Sequence, residues 1–114
     1  VVALVDTNIL VYAFDHGSPR KQRIASQLLI HGLEQDSIRI PHQAIVEFVA
    51  AASRPRVGKE ALLSLPDACR AAEEYLALFE VLYPNREVTR LALQGALVHQ
   101  LSWFDAHLWA HAEY

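Results

Sequence analysis

Three stretches with strand character are separated by long segments of helical periodicity, and no two of them meet across a short turn. The first, Val1 to Val5, is an unbroken run of Val, Ala and Leu, the pattern of a strand covered on both faces of a sheet. The second, Ser37-Ile38-Arg39-Ile40, alternates and is closed by Pro41; the third runs from Glu80 to Tyr83 and is closed by Pro84. Strands this short are stable only when paired, and strands joined by helical crossovers pair in parallel. The predicted order is β-α-α-β-α-α-β-α-α, an α/β fold with a parallel sheet. In such sheets ligands bind beyond the carboxyl ends of the strands, which says where chemistry is to be sought.

The connecting segments carry their own start and stop signals. Thr7 and Asn8 are capping residues, and Ile9, Leu10, Tyr12 and Ala13 predict one or two helical turns. Gly17-Ser18-Pro19 reads as loop, N-cap and first helical residue, Ile24, Ala25, Leu28 and Leu29 form the apolar stripe, and Gly32 is the expected helix end. A helix is predicted from His42 to Ser53, followed by the loop Arg54-Pro55-Arg56-Val57-Gly58. Cys69, Ala72, Leu76 and Phe79 keep helical spacing, which makes Cys69 a small core residue. Asn85 is the expected N-cap of a helix bearing Val88, Leu91, Ala92 and Val98, and Ser102 opens a last helix. No internal repeat or linker interrupts the pattern, so a single domain over residues 1–114 is expected.

Composition narrows the class without selecting a function. Hydrophobic residues make up 53% of the 114 and charged residues 20%, a balance that supports one buried core. No apolar run approaches the roughly 18 residues that span a bilayer, and the opening run reaches Asp6 without a basic lead-in, so it reads as a strand and not as a signal peptide. Cys69 is the one cysteine, which fits a reducing cytoplasm. The net charge of −3 gives no overall attraction for nucleic acid, yet Arg20, Lys21 and Arg23 cluster, as do Arg54, Arg56 and Lys59. A domain that gathers carboxylates around a metal can be acidic in total and still offer basic edges to phosphates.

Three carboxylates stand out by their surroundings. Asp6 directly follows the first strand, at its carboxyl end; it serves either as an N-cap or as a metal ligand at the mouth of the sheet. Glu47 is the lone charge in Ala44-Ile45-Val46-Glu47-Phe48-Val49-Ala50-Ala51-Ala52. A helix apolar on every face is a buried helix, and an ionised carboxylate there costs several kcal/mol unless paired or bound to a cation. The alternative is an exposed glutamate on an Ala-rich face. Asp105 is the lone acid within Trp103-Phe104-Asp105-Ala106-His107-Leu108-Trp109, and Ser102-Trp103-Phe104-Asp105 also matches a capping pattern. Magnesium and manganese are hard cations that prefer carboxylate oxygens, so three such groups converging beyond a sheet edge are the donor set for one or two of these ions. Spacing alone supports an acidic metal site and nothing more specific.

The same residues resemble a known family. Leu4-Val5-Asp6-Thr7-Asn8-Ile9-Leu10-Val11-Tyr12 resembles the opening of PIN domains, an apolar strand closed by Asp-Thr-Asn and a short apolar helix. Ile45-Val46-Glu47-Phe48 resembles the second acid of that family, and Leu101-Ser102-Trp103-Phe104-Asp105-Ala106 its third. The resemblance runs in order over essentially the whole chain and is nearest to the VapC-like toxins of bacterial toxin–antitoxin pairs. It implies a PIN-like (Rossmann-like) parallel sheet flanked by helices, and a magnesium- or manganese-dependent endoribonuclease. Asp6, Glu47 and Asp105 are then the catalytic and metal-site acids, with Thr7 or Asn8 as supporting polar groups. The implied reaction is attack of a metal-activated water on an RNA phosphodiester, without a covalent enzyme intermediate. A cytoplasmic homodimer silenced by a small antitoxin protein is also implied.

The family usually continues into another strand with a fourth acid near its end, whereas this chain stops at Tyr114. Glu113 falls within the last helix and takes no such role. The fold is therefore expected to lack its last strand or strands, leaving the first strand as an exposed sheet edge. The competing reading is a PIN-like module that binds RNA or a protein without cutting. A phosphatase on a similar sheet is disfavoured, because the second Asp that would act as acid–base partner two residues after Asp6 is missing. His107 and His111, one turn apart, would need a third ligand such as His99 to hold zinc, and they read better as surface or half-buried histidines. Arg54, Arg56 and Lys59 are candidate RNA contacts against a default of a solvated face. Trp103, Phe104, Leu108 and Trp109 read as core or dimer interface.

Overall fold

A computed structural model of the chain describes residues 2–98. The expected histidines at 99, 107 and 111, the aromatic group at 103–109 and Asp105 lie outside the described residues. The described elements follow the first eight of the predicted order, the helix expected from Ser102 lying outside the described residues: β1 (Ala3–Leu4), α1 (Thr7–Tyr12), α2 (Pro19–Glu34), β2 (Ile38–Pro41), α3 (His42–Ser53), α4 (Leu65–Leu78), β3 (Val81–Leu82) and α5 (Arg86–Val98). The strands form one small sheet in the order β1-β2-β3. β1 and β2 run parallel, with Ala3 opposite Ile38 and Leu4 opposite Arg39. The ladder extends past the strand ends, since Val5 N–H donates to the Arg39 carbonyl at 3.0 Å and Ile40 N–H to the Glu80 carbonyl at 3.0 Å. Arg39 adds a side-chain tie from β2 toward β3 through its Nε, 2.6 Å from a Glu80 carboxylate oxygen. The fold is α/β with a parallel sheet flanked by helices, as the crossover pattern requires. Among the described residues β1 is an edge strand.

Packing divides the chain into two compact units, Val1–Val81 and Leu82–Tyr114. In the first, Val5, Leu10, Leu29, Ile38, Ile40, Phe48 and Tyr75 belong to one continuous core. Phe48 and Tyr75 meet edge to face with ring centroids 5.3 Å apart, and Phe14 lies 5.7 Å from Phe48. The Tyr75 hydroxyl, buried with its ring, donates to the Leu10 carbonyl at 3.2 Å. That carbonyl belongs to the last turn of α1, where the Phe14 N–H that would continue the helix bonds to Val11 instead. In the second unit Asn85 caps α5 through its Oδ1, which accepts from Val88 N–H at 2.8 Å, and Val88 and Ala92 are buried with Leu91 and Ala96 against them.

Three local expectations change. Gly32 does not end α2; the helix runs on to Glu34, and Asp36 takes the left-handed position with φ 49°. Ser37 N–H returns to the Gly32 carbonyl and Asp36 N–H to the Leu33 carbonyl, the pair of bonds that closes a helix around such a residue. Gly32 is needed for space: a Cβ there would lie 2.6–2.8 Å from three side-chain atoms of Ile38. Cys69 is exposed and is not a core residue. The buried stripe of α4 is Ala68, Ala71, Ala72 and Tyr75, because small side chains let α4 come close to α3 while the tyrosine reaches Leu10. Finally, α3 is not enclosed on all sides: Ala44, Ile45, Phe48 and Ala52 are buried, but Val46 is 54% exposed.

Candidate functional site

Two of the three acids singled out in the sequence come to the same end of the sheet. Asp6 follows β1 as the N-cap of α1, and its Oδ1 accepts from Asn8 N–H at 3.1 Å. The capping role is thus real, and it occupies one of the two carboxylate oxygens; Oδ2 has no hydrogen bond from the described residues. Glu47 sits in α3, which starts directly where β2 ends, so the turn carrying it also projects past the carboxyl edge of the strands.

Thr7 joins the two. It is the first residue of α1 and is 7% exposed, and its hydroxyl donates to Glu47 Oε2 at 3.3 Å. The residue after Asp6 therefore holds the carboxylate of Glu47 across the α1–α3 contact. The other oxygen of Glu47 accepts from Gln43 Nε2 at 3.0 Å, one helical turn earlier in α3. Each oxygen of a half-buried carboxylate thus has one neutral donor and no positive partner among the described residues. Asn8 contributes its backbone N–H to Asp6, and its side chain is exposed.

Whether this pair suits a divalent cation can be judged from its donors. Among the described residues no group of three or more His, Cys, Asp or Glu converges. The described part of the site is two carboxylates, with Asp105 outside it. Both are oxygen donors of the type hard divalent ions prefer, and an ionised carboxylate retains further lone pairs when each oxygen accepts one bond. The Thr7 and Gln43 donors are neutral and do not compete with a cation for charge. The chemistry of the set therefore fits magnesium or manganese better than zinc, which favours nitrogen and sulfur.

The basic loop lies beyond the far end of α3. Arg54 is the C-cap of the helix and is exposed. Arg56 and Lys59 pair across a tight turn, exchanging backbone hydrogen bonds at 3.2 and 3.0 Å, with Gly58 at φ +67° providing the left-handed residue. Arg56 is partly committed to this turn, since its Nε donates to the Glu60 carbonyl at 3.2 Å and its guanidinium lies 3.9 Å from Asp15. Arg54 follows Glu47 by seven positions, about 10 Å of axial rise along α3.

Gln43 does not stand out in the sequence. Its spacing of four from Glu47 on a predicted helix was the available signal, but the meaning of that spacing depends on Thr7 arriving from another element.

No curated protein matches the sequence. The family model of the PIN domain matches residues 3–114, nearly the entire chain. The acid that closes β1, the threonine that ties it to α3 and the glutamate that receives that threonine occur in the part so matched, and the chain belongs to the PIN domain family, whose members are typically nucleases that generally use divalent metal ions.

Proposed function

We propose that the protein is a metal-dependent endoribonuclease that hydrolyses RNA phosphodiesters, with Asp6, Glu47 and Asp105 as its acids. The observation that carries this reading is the Thr7 to Glu47 hydrogen bond, which brings the second acid to the chain segment of the first at the carboxyl edge of the sheet. A magnesium or manganese ion held by these carboxylates would supply acidification of a water and charge compensation at the phosphate. The chain's own residues hold and orient. Thr7 and Gln43 restrain the Glu47 carboxylate, and Asn8 N–H restrains that of Asp6. Exposed Arg54 and Lys59, beyond the far end of α3, are available to RNA phosphates outside the scissile one, with Arg56 mainly shaping the turn next to them.

A toxin role, with a small antitoxin as partner and a cytoplasmic homodimer as the working form, follows from the resemblance of the Asp6, Glu47 and Asp105 segments to VapC-like proteins. What supports a protein partner on the described surface is an open apolar cavity of about 290 Å³ lined by Phe14, Leu29, Ile30, Leu33, Leu78 and Phe79 among others. Ile30, Leu33 and Leu78 are exposed at it, and exposed apolar groups gathered at a concavity mark a surface that another chain covers. No helix of the described residues is long and apolar enough to cross a membrane.

The deciding experiment incubates the purified protein with Mn²⁺ and a mixed RNA substrate beside Asp6→Asn, Glu47→Gln and Asp105→Asn. Internal cleavage that each substitution lowers at least a hundredfold is the expected result. Cleavage that survives Asp6→Asn would place the chemistry elsewhere or in a contaminant. RNA binding without cleavage would favour a non-cutting module.

A further inference from the structure

We propose that Gln43 is a positioning residue for the Glu47 carboxylate, and that its side-chain amide, acting with the Thr7 hydroxyl, sets the affinity of the site for its divalent cation. The inference rests on the metal-dependent reading of Asp6 and Glu47 and extends it to a residue outside the acid set. Gln43 Nε2 lies 3.0 Å from Glu47 Oε1 and Thr7 Oγ1 3.3 Å from Oε2. An ionised carboxylate only accepts, so the nitrogen and not the oxygen of the Gln43 amide faces it. Two donors from different elements therefore hold the two oxygens, one from the same helix and one from the start of α1.

This arrangement restricts the rotation of the glutamate side chain about its terminal bonds before any ion arrives. Ordering a glutamate on binding costs rotamer entropy, and a side chain already held loses less of it. Neither donor carries charge, so neither cancels the negative charge that attracts the cation, as a lysine or arginine in the same place would. Gln43 is half-buried, and among the described residues the one hydrogen bond of its side chain goes to Glu47. Groups that hold metal ligands in this way typically change metal affinity about 10- to 100-fold when removed.

The test measures Mn²⁺ binding to the full chain by calorimetry, together with thermal unfolding of the metal-free protein, for the unaltered chain and for Gln43→Met and Gln43→Ala. Gln43→Met keeps the length of the side chain and removes its donors. The expected result is Mn²⁺ affinity lowered about tenfold in both variants, with the unfolding midpoint of the metal-free protein unchanged. Mn²⁺ uptake by Gln43→Met equal to that of the unaltered chain overturns the positioning role while leaving the metal site in place. A loss of affinity matched by a lower midpoint in both variants overturns it too, because Gln43 would then be supporting the helix. Absence of Mn²⁺ uptake by the unaltered chain removes the metal reading itself, and the role of Gln43 with it.

Discussion

Tyr75 is buried for two reasons, one of packing and one of hydrogen bonding. Its ring fills the space beside Phe14 and Phe48, and its hydroxyl supplies the donor that Leu10 lacks at the end of α1. Burial raises the phenol above its ordinary value, and the charge of Glu74 raises it further. The folded chain therefore keeps the proton to higher pH than the unfolded chain does. Stability from this group is complete below the unfolded value near pH 10 and is lost as pH rises through the folded one, at about 1.4 kcal/mol per pH unit. Tyr75→Phe leaves the Leu10 carbonyl without that donor and should lower stability at pH 7 by about 1–2 kcal/mol. Between pH 10 and 11.5 the same variant should lose stability less steeply than the unaltered protein, so the two curves approach each other. Urea melts across that range check both parts. Parallel curves would mean that Tyr75 does not control the alkaline limb.

At the level of elements, the order of strands and helices was legible because each switch in periodicity is bracketed by residues with one local meaning. Pro41 closes β2, Pro19 stands at the first position of α2 and Asn85 caps α5. What was not legible is the full inward face of α4: Ala72 of the expected stripe is buried, but Cys69 and Leu76 are exposed, whereas the stripe expected on α5 is the buried one. On α4 the hydropathic choice is Cys69 with Leu76, yet α3 and α4 approach through Ala52, Ala68 and Ala72, and the selecting factor is side-chain size. Ala68→Leu should therefore destabilise the protein by about 1–3 kcal/mol through overpacking, while Cys69→Leu, one residue on, should stay within about 0.5 kcal/mol. Chemical denaturation of the two variants compares them directly, and equal losses would put Cys69 back on the packed face. The site shows the same division. Asp6 could be placed from its position after a strand and Glu47 from its isolation among apolar residues, though the apolarity of α3 marks a one-sided helix and not an enclosed one. The Thr7–Glu47–Gln43 chain could not be placed, because it exists only once α1 lies against α3.

For the molecule as a whole, a net charge of −3 and a pair of carboxylates at the sheet edge oppose the approach of nucleic acid, so the RNA binding proposed above would depend on where the positive charge is spent. Some of it is already committed. Lys21 lies 5.0 Å above the ring of Tyr12, Arg39 pairs with Asp36 and Glu80, and Arg56 is held by Glu60 and Asp15. Arg70 and Arg90 sit beside Asp67 and Glu87 on their own helices. Arg54 and Lys59 are exposed at the end of the helix that carries Glu47, and Val57 between them is fully exposed at the tip of the turn. If these two meet phosphates, each contributes roughly 0.7 to the slope of log affinity against log salt for a single strand. Binding of a short single-stranded RNA to the Asp6→Asn protein, titrated over a range of salt, should thus show a shallower slope, by about 1.4, when Arg54→Ala and Lys59→Ala are added. Arg56→Ala should instead loosen the turn and lower affinity with less change of slope than either. An unchanged slope in the double variant would return Arg54 and Lys59 to an ordinary solvated face and require the RNA to be held by other groups.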